Sequence, residues 1–228
     1  MLFLYRRKLY FNISFFTILF FFLESYTSHE IIEVFRTMEI SSISETDKNA
    51  ITRLLSSDLS RTVARHAIIV LHYFRTISDE DLPIDVLLGG CVLYAVKQRQ
   101  ASNANYFLRE CLERVKESDI VGFELLLVQV VRHNVLLIET CLRSVFHEVL
   151  LENPVAGLDR ERTIKVCLHL ISFLYRTSWC LFPESAARGA FLVASEKCEV
   201  RLGKLSSAFD GPMVKHIAKY LRDQFWNW

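Results

Sequence analysis

The amino-acid sequence predicts an all-α protein, and three observations carry that prediction. The 228 residues include only seven Gly and four Pro, roughly a 5% share against a usual ~12%. The long runs between these breakers place apolar residues at i, i+3, i+4 spacing, as in helices with one buried face. Short, evenly spaced turn signals of the sandwich or barrel kind are missing from the sequence. Hydrophobic residues make up 51% and charged residues 23%, which excludes a disordered chain and allows one large domain or two small ones. Basic and acidic side chains number 27 and 26, so no broad electrostatic footprint exists for nucleic acid, and direct nucleic-acid binding is not expected.

Residues 1–37 differ from the remainder. Seven of the 17 Phe residues fall within the first 22 positions. Arg6, Arg7 and Lys8 precede an apolar stretch, Leu9 to Leu23, interrupted by Asn12, Ser14 and Thr17. A basic region before an apolar one reads as a signal peptide or short anchor, although it falls short of the ~20 residues that span a bilayer comfortably. Ser25 and Thr27 are the best cleavage candidates. The same break in composition also fits a spurious upstream stretch, with Met38 as the working start. The two readings give opposite localisations: membrane-anchored or secreted in the first case, neither in the second.

From residue 38 onward the chain reads as successive helices. Asp47 can cap a short one carrying Ile51, Leu54 and Leu55. Ser60 or Thr62 can cap the next, whose Ala64, Ala67, Ile68, Leu71 and Phe74 form a core-facing stripe. Pro83, Pro183 and Pro212 each precede an apolar run, at a helix start where the missing N–H is tolerated. The run after Pro83 is apolar nearly all round and therefore belongs at the centre of its unit. Gly89 and Gly90 within it cost about 1 kcal/mol each against Ala, which is tolerable if a neighbouring helix needs close approach. Asn103 to Glu117 gives a shorter amphipathic helix. A long helical stretch runs from about Asp119 to Val149, with Glu124, Gln129, Arg132, His133 and Asn134 as polar interruptions that favour a core helix over a membrane span. Pro154, in Glu152-Asn153-Pro154-Val155-Ala156-Gly157, marks the best linker. Ile164, Cys167, Leu168, Ile171, Leu174 and Tyr175 form the next stripe, and the Pro183 and Pro212 helices close the chain before Trp226 and Trp228.

The two halves repeat. At an offset of 100, Pro83, Gly89, Gly90 and Lys97 correspond to Pro183, Gly189, Ala190 and Lys197. Just upstream, Tyr73-Phe74-Arg75-Thr76 resembles Leu174-Tyr175-Arg176-Thr177 at an offset of 101. Each half thus has an amphipathic helix ending in aromatic-Arg-Thr, a short step to Pro, and a buried helix with a narrow waist and a terminal Lys. Over roughly Asp47 to Trp228 this pattern resembles the cyclins, whose fold is two repeats of a five-helix module. Tyr94-Ala95-Val96-Lys97 matches the Ala-x-Lys ending of the third helix of the cyclin box. Tyr175-Arg176-Thr177-Ser178-Trp179-Cys180-Leu181 resembles the Tyr-Arg-Thr-x-x-Cys-Leu stretch of transcription-associated cyclins, and Phe209 to Trp228 fits the same group, the cyclin Q-like branch included.

The resemblance implies a non-catalytic regulatory subunit that binds and activates a cyclin-dependent protein kinase, in control of transcription and in the nucleus. It implies that Lys97 donates to backbone carbonyls at the end of the kinase's mobile helix, while a Glu of the fifth helix accepts from kinase backbone. Glu139 is the carboxylate nearest that second position; the register itself falls on Ile138, one residue away. Two departures stand out. Arg99 and Gln100 occupy the place of the family's acidic pair after the Lys, and the first helix lacks the apolar-Arg-Ala-Ile-Leu docking patch of cell-cycle cyclins.

Other chemistry is not encoded in any recognisable pattern. The seven His residues form no His-Glu-x-x-His and no metal-spaced cluster, and His66 and His72 share a face poorly. Asp79, Glu80, Asp81 and Asp85 suit the positive end of a helix rather than a catalytic pair. Cys91, Cys111, Cys141, Cys167, Cys180 and Cys198 lack any Cys-x-x-Cys and read as buried reduced thiols. The expected organisation is therefore a leader at 1–37, a first cyclin-like module at 38–157 and a shortened second one at 158–228. No enzyme activity, metal or cofactor is expected; a membrane becomes a partner only if residues 1–37 are a real anchor. The competing functions are a cyclin-fold interaction scaffold without kinase activation, and an anchored or secreted helical binding protein.

Overall fold

The computed structural model describes residues 44–78, 81–101, 104–131, 135–152, 159–200, 202–203 and 205–225. All regular structure among them is helical, as the sequence predicts. The leader, the Pro154 linker and the terminal Trp residues lie outside the described residues. The chain divides into two compact units between Val135 and Leu136.

The first unit holds five α-helices among its described residues: α1 (Glu45–Ser56), α2 (Arg61–Ile77), α3 (Ile84–Arg99), α4 (Asn105–Leu112) and α5 (Glu117–Val130). Ser44 rather than Asp47 caps α1. Ser44 Oγ accepts from the Asp47 N–H at 3.1 Å and donates to Asp47 Oδ2 at 2.7 Å, a reciprocal arrangement that places Asp47 in the first turn. Freed from capping duty, Asp47 Oδ1 also accepts from Arg75 Nε at 2.9 Å, which ties α1 to the end of α2. Ser60, the first of the two residues considered for α2, caps it through the Val63 N–H at 3.3 Å.

α3 is the central helix, packed on α2, α4 and α5. It is buried from Asp85 through Val92, and its two glycines explain how α5 fits against it. A Cβ at Gly89 would meet Ile120 Cδ1 at 2.7 Å, and one at Gly90 would run into the Phe123 ring. Phe123 cannot easily swing away, because its edge packs on Phe74 with centroids 4.9 Å apart.

The second unit contains α6 (Ile138–Glu152), α7 (Arg160–Leu174), α8 (Pro183–Lys197) and α9 (Pro212–Phe225), with 3-10 turns at Ser178–Leu181 and Ser207–Phe209. Here α8 is central, packed on α6, α7 and α9. Asp159 caps α7 through the Arg162 N–H at 2.9 Å, and Pro183 opens α8.

Two expectations are corrected at this level. The long helix from Asp119 to Val149 is two helices: α5 ends where Tyr94 Oη donates to the Val131 carbonyl at 3.3 Å, and α6 begins where the Ile138 N–H donates to Tyr175 Oη at 3.2 Å. The boundary between units accordingly falls between 135 and 136, not at 157/158. The physical reason is α6, which buries Ile138, Cys141, Leu142, Val145, Phe146 and Val149 and sets Phe146 edge-on to Phe191 of α8 at 5.1 Å.

With that boundary the repeat becomes a structural one. Both central helices end in a non-glycine residue with left-handed backbone, Gln100 at φ 50° and Glu199 at φ 55°. Both close the same turn, with Ala101 N–H to Val96 O at 3.1 Å and Val200 N–H to Ser195 O at 2.9 Å, the wide bond of a Schellman ending. Gly189 does for Ile217 of α9 what Gly89 does for Ile120 of α5. Thr76 Oγ1 donates to the Tyr73 carbonyl at 2.7 Å and Thr177 Oγ1 to the Leu174 carbonyl at 2.8 Å. The second unit is trimmed where the first has α4, since among the described residues between α8 and α9 the Ser207–Phe209 turn is the only helical element.

Two glycine substitutions should move stability in opposite directions. Gly90→Ala is expected to lower it by about 1–3 kcal/mol through overpacking against Phe123. Gly122→Ala, where nothing lies within 4 Å of an added Cβ, should raise it by about 1 kcal/mol from helix propensity. Urea unfolding of both variants is the check; a stabilised Gly90→Ala would refute the close-approach account of α3 and α5.

Candidate functional site at the edge of α3 and α5

Lys97 lies in the last turn of α3, where its side chain is 56% exposed. Its Nζ donates to Glu124 Oε2 at 2.8 Å, and Glu124 is only 2% exposed. A carboxylate removed from water needs a charged or strongly donating partner, and Lys97 supplies it. The ammonium in turn loses some of its freedom and is held beside α5. Burial, and after it the Glu124 charge, push the Tyr94 phenol above its ordinary range, which keeps its hydroxyl protonated and donating to Val131.

The outward side of α5 next to Glu124 is apolar. Successive helical residues turn by about 100°, so Val121, Leu125 and Val128 fall on one side, within three or four positions of Glu124. Leu125 is 53% and Val128 50% exposed, and Val121 is half-buried. Ile120, Phe123, Leu127 and Val130 face the core instead. The result is an exposed apolar strip with a buried acid and a half-exposed base along one edge.

Arg99, also in the last turn of α3, lies about 200° round the helix from Lys97. Its Nε donates to His66 Nδ1 at 3.0 Å and its Nη2 to the Val135 carbonyl at 2.9 Å. His66 is 3% exposed, and its Nε2 is buried without a hydrogen-bond partner. Burial, reinforced by the Arg99 charge, pushes the His66 imidazole down to about 4, so the ring is neutral at pH 7 and Nδ1 is the acceptor.

Glu139 lies in the second unit, whereas Lys97 lies in the first, and its Oε2 accepts from the buried Tyr175 hydroxyl at 2.8 Å. Its counterpart is Asp47: in each unit the aromatic-Arg-Thr end of the second helix bonds to an acid at the start of the first. The carboxylate paired with Lys97 is Glu124, which in sequence looks like one polar interruption among several.

Asp85 is 7% exposed, and its carboxylate is paired with Arg53 of α1 and approached by Arg114 at 3.8 Å. Asp79 and Glu80 lie outside the described residues. All six cysteines are free, and burial raises the thiols of Cys91, Cys111, Cys141, Cys167 and Cys180, Cys111 to about 11 and Cys167 to about 12. Among the described residues no group of three or more His, Cys, Asp or Glu is placed to hold a metal ion, and no helix is long and apolar enough to cross a membrane. The chain matches no protein-family model and no curated protein.

Two outcomes are expected. Lys97→Met should destabilise the chain by on the order of 1–2 kcal/mol, less than a fully buried pair would lose because the ammonium is half in water. In a double-mutant cycle with Glu124→Gln, a coupling below about 0.3 kcal/mol would mean that Glu124 is held by something else. His66 gives the second. Its folded pKa lies below the unfolded 6.5, so the unfolded chain binds more protons between the two values and stability falls as pH drops from about 6.5 toward about 4. The loss from pH 7 to 4.5 should be about 2 kcal/mol, and His66→Gln should remove most of that slope in urea titrations.

Proposed function

We propose that the chain is a cyclin-like, non-catalytic regulatory subunit that binds a cyclin-dependent protein kinase through the edge formed by α3 and α5. The observation that carries this reading is the Lys97–Glu124 pair beside an exposed apolar strip. In the family that the sequence resembles, a Lys ending the third helix and a Glu in the fifth engage the kinase's mobile helix. Lys97 ends the third helix of the first unit, and Glu124 lies in its fifth. The five-helix order of that unit, and its trimmed repetition in the second, add support.

The mechanism is a population shift. A surface that binds the inward position of the kinase's mobile helix better than the outward one stabilises the active conformation by the difference in affinity. Shifting a kinase from 1:99 to 99:1 in favour of the active form requires roughly 5.5 kcal/mol of such difference. Leu125 and Val128 supply apolar area, and Lys97 supplies donors for carbonyls left unpaired at a helix C-terminus. A role in transcription and a nuclear location go with this reading. The scaffold alternative is favoured by Arg99, which stands where the family carries an acid, and it predicts binding without activation.

The test is a panel of purified cyclin-dependent kinases, each incubated with the full chain and assayed for binding and activity. One kinase should bind and gain activity, and Lys97→Glu or Leu125→Asp should weaken that binding more than tenfold. Leu151→Asp, at a 71% exposed position of α6, is the surface control and should leave binding unchanged. Binding without activation selects the scaffold, and binding of no kinase removes the reading.

A further inference from the structure

We infer that Glu124 positions Lys97 and does not itself touch the partner. The pair then offers hydrogen-bond donors to uncharged carbonyl oxygens, not a positive charge to a carboxylate or phosphate. This inference rests on the kinase-binding reading and parts from the family resemblance, in which the Glu of the fifth helix accepts from kinase backbone.

Three observations carry it. First, the two ends of the pair differ in access. Glu124 is 2% exposed while Lys97 is 56% exposed, so an arriving segment meets the ammonium and not the carboxylate. The bond to Glu124 at 2.8 Å uses one of the three donors of the ammonium and leaves the others for an acceptor outside the chain.

Second, the charge of Lys97 is already matched within the chain. An oxygen accepting another Nζ proton would lie roughly 4–5 Å from Glu124 Oε2, so repulsion cancels about half of what an anion would gain. A carbonyl oxygen at a helix C-terminus carries only a partial charge and gives up less hydration, so it loses less in this position.

Third, the corresponding tie in the second unit is built differently. There Arg222 of α9 donates to both oxygens of Glu196 in the last turn of α8, with the side chains 35% and 39% exposed. A surface pair is therefore enough to join a central helix to the last one. Burying Glu124 incurs a desolvation cost that such a pair avoids. What it adds is an ammonium fixed next to the exposed Leu125 and Val128 of α5.

The experiment uses the full chain and the kinase that binds best in the panel above, with affinity measured at 50 and 500 mM NaCl. Lys97→Met should weaken binding about tenfold and Glu124→Gln about threefold, and the double variant should bind no worse than Lys97→Met alone. Salt dependence separates this from a loss of packing. Wild type and the double variant, both neutral at this place, should lose affinity with salt equally. Glu124→Gln alone, with its ammonium unmatched, should lose about twofold more between the two salt concentrations. Urea unfolding checks that each variant is folded in the assay; if Lys97→Met is not, the salt dependence of Glu124→Gln against wild type decides alone. Losses that multiply in the double variant place Glu124 on the partner, and a wild type steeper in salt than the double variant places an anion on Lys97. Either result, or a Glu124→Gln variant that binds as wild type does at both salt concentrations, overturns this inference while the binding reading stands. If neither Lys97→Met nor Leu125→Asp weakens binding, or no kinase binds, the reading falls and takes this inference with it.

Discussion

The absence of two methyl groups decides how the first unit is built. At Gly89 and Gly90 the flank of α3 is bare backbone, and α5 lies against it with Ile120 and Phe123 occupying the space that side chains would have filled. Closeness at that crossing has consequences further along both helices. It brings the Glu124 carboxylate within 2.8 Å of Lys97 and the Tyr94 hydroxyl within 3.3 Å of the Val131 carbonyl. Two residues that weaken an isolated helix thus allow a buried acid, a tethered base and a defined end to α5. The helix-propensity cost at the glycines is offset by apolar burial of Ile120 and Phe123.

The same device, used again at Gly189 against Ile217, makes the two units variations on one plan. They differ where the candidate site lies. The first unit keeps a full α4 and sets an acid of α5 beneath the end of its central helix. Among the described residues the second has a 3-10 turn where the first has α4, and its α9 is tied to the central helix by Arg222, whose Nε donates to Glu196 Oε2 at 2.8 Å, while Phe225 packs edge-on to Phe173 at 4.8 Å. Both copies thus tie the central helix to the last one by a charged pair, and in the first that pair lies beside the exposed Leu125 and Val128.

The helical class and the central position of the Pro83 helix are readable because each rests on local spacing. Glu124 is not, since its partner is 27 residues away and periodicity along one helix is blind to a neighbour across the crossing. A lone acid in an apolar run looks like an interruption unless the facing helix is known. The break between α5 and α6 was hidden for a related reason. Between Gly122 and Pro154 there is no Gly or Pro to mark it; both ends are set by tyrosine hydroxyls from other helices. Without a marker of that break, Pro154 is the obvious boundary in the sequence, and it leaves α6 with the first unit. An acid before an apolar run fits both the cap and the third helical position, and only the Ser44 hydroxyl, which accepts from the Asp47 N–H, distinguishes them.

The Tyr175 hydroxyl has a bearing on the order in which the chain matures. It is fully buried, accepts from the first N–H of α6 and donates to Glu139, so the start of α6 is completed by a residue 37 positions downstream. As the polypeptide leaves the ribosome, the five helices described for the first unit are all present once Val135 has emerged. Helix α6, which follows at once, must wait through the synthesis of α7 before its leading amide and its first acid find their partner. Synthesis therefore yields a finished first unit carrying an unfinished second, and the interval between them is set by the time needed to translate from Ile138 to Tyr175.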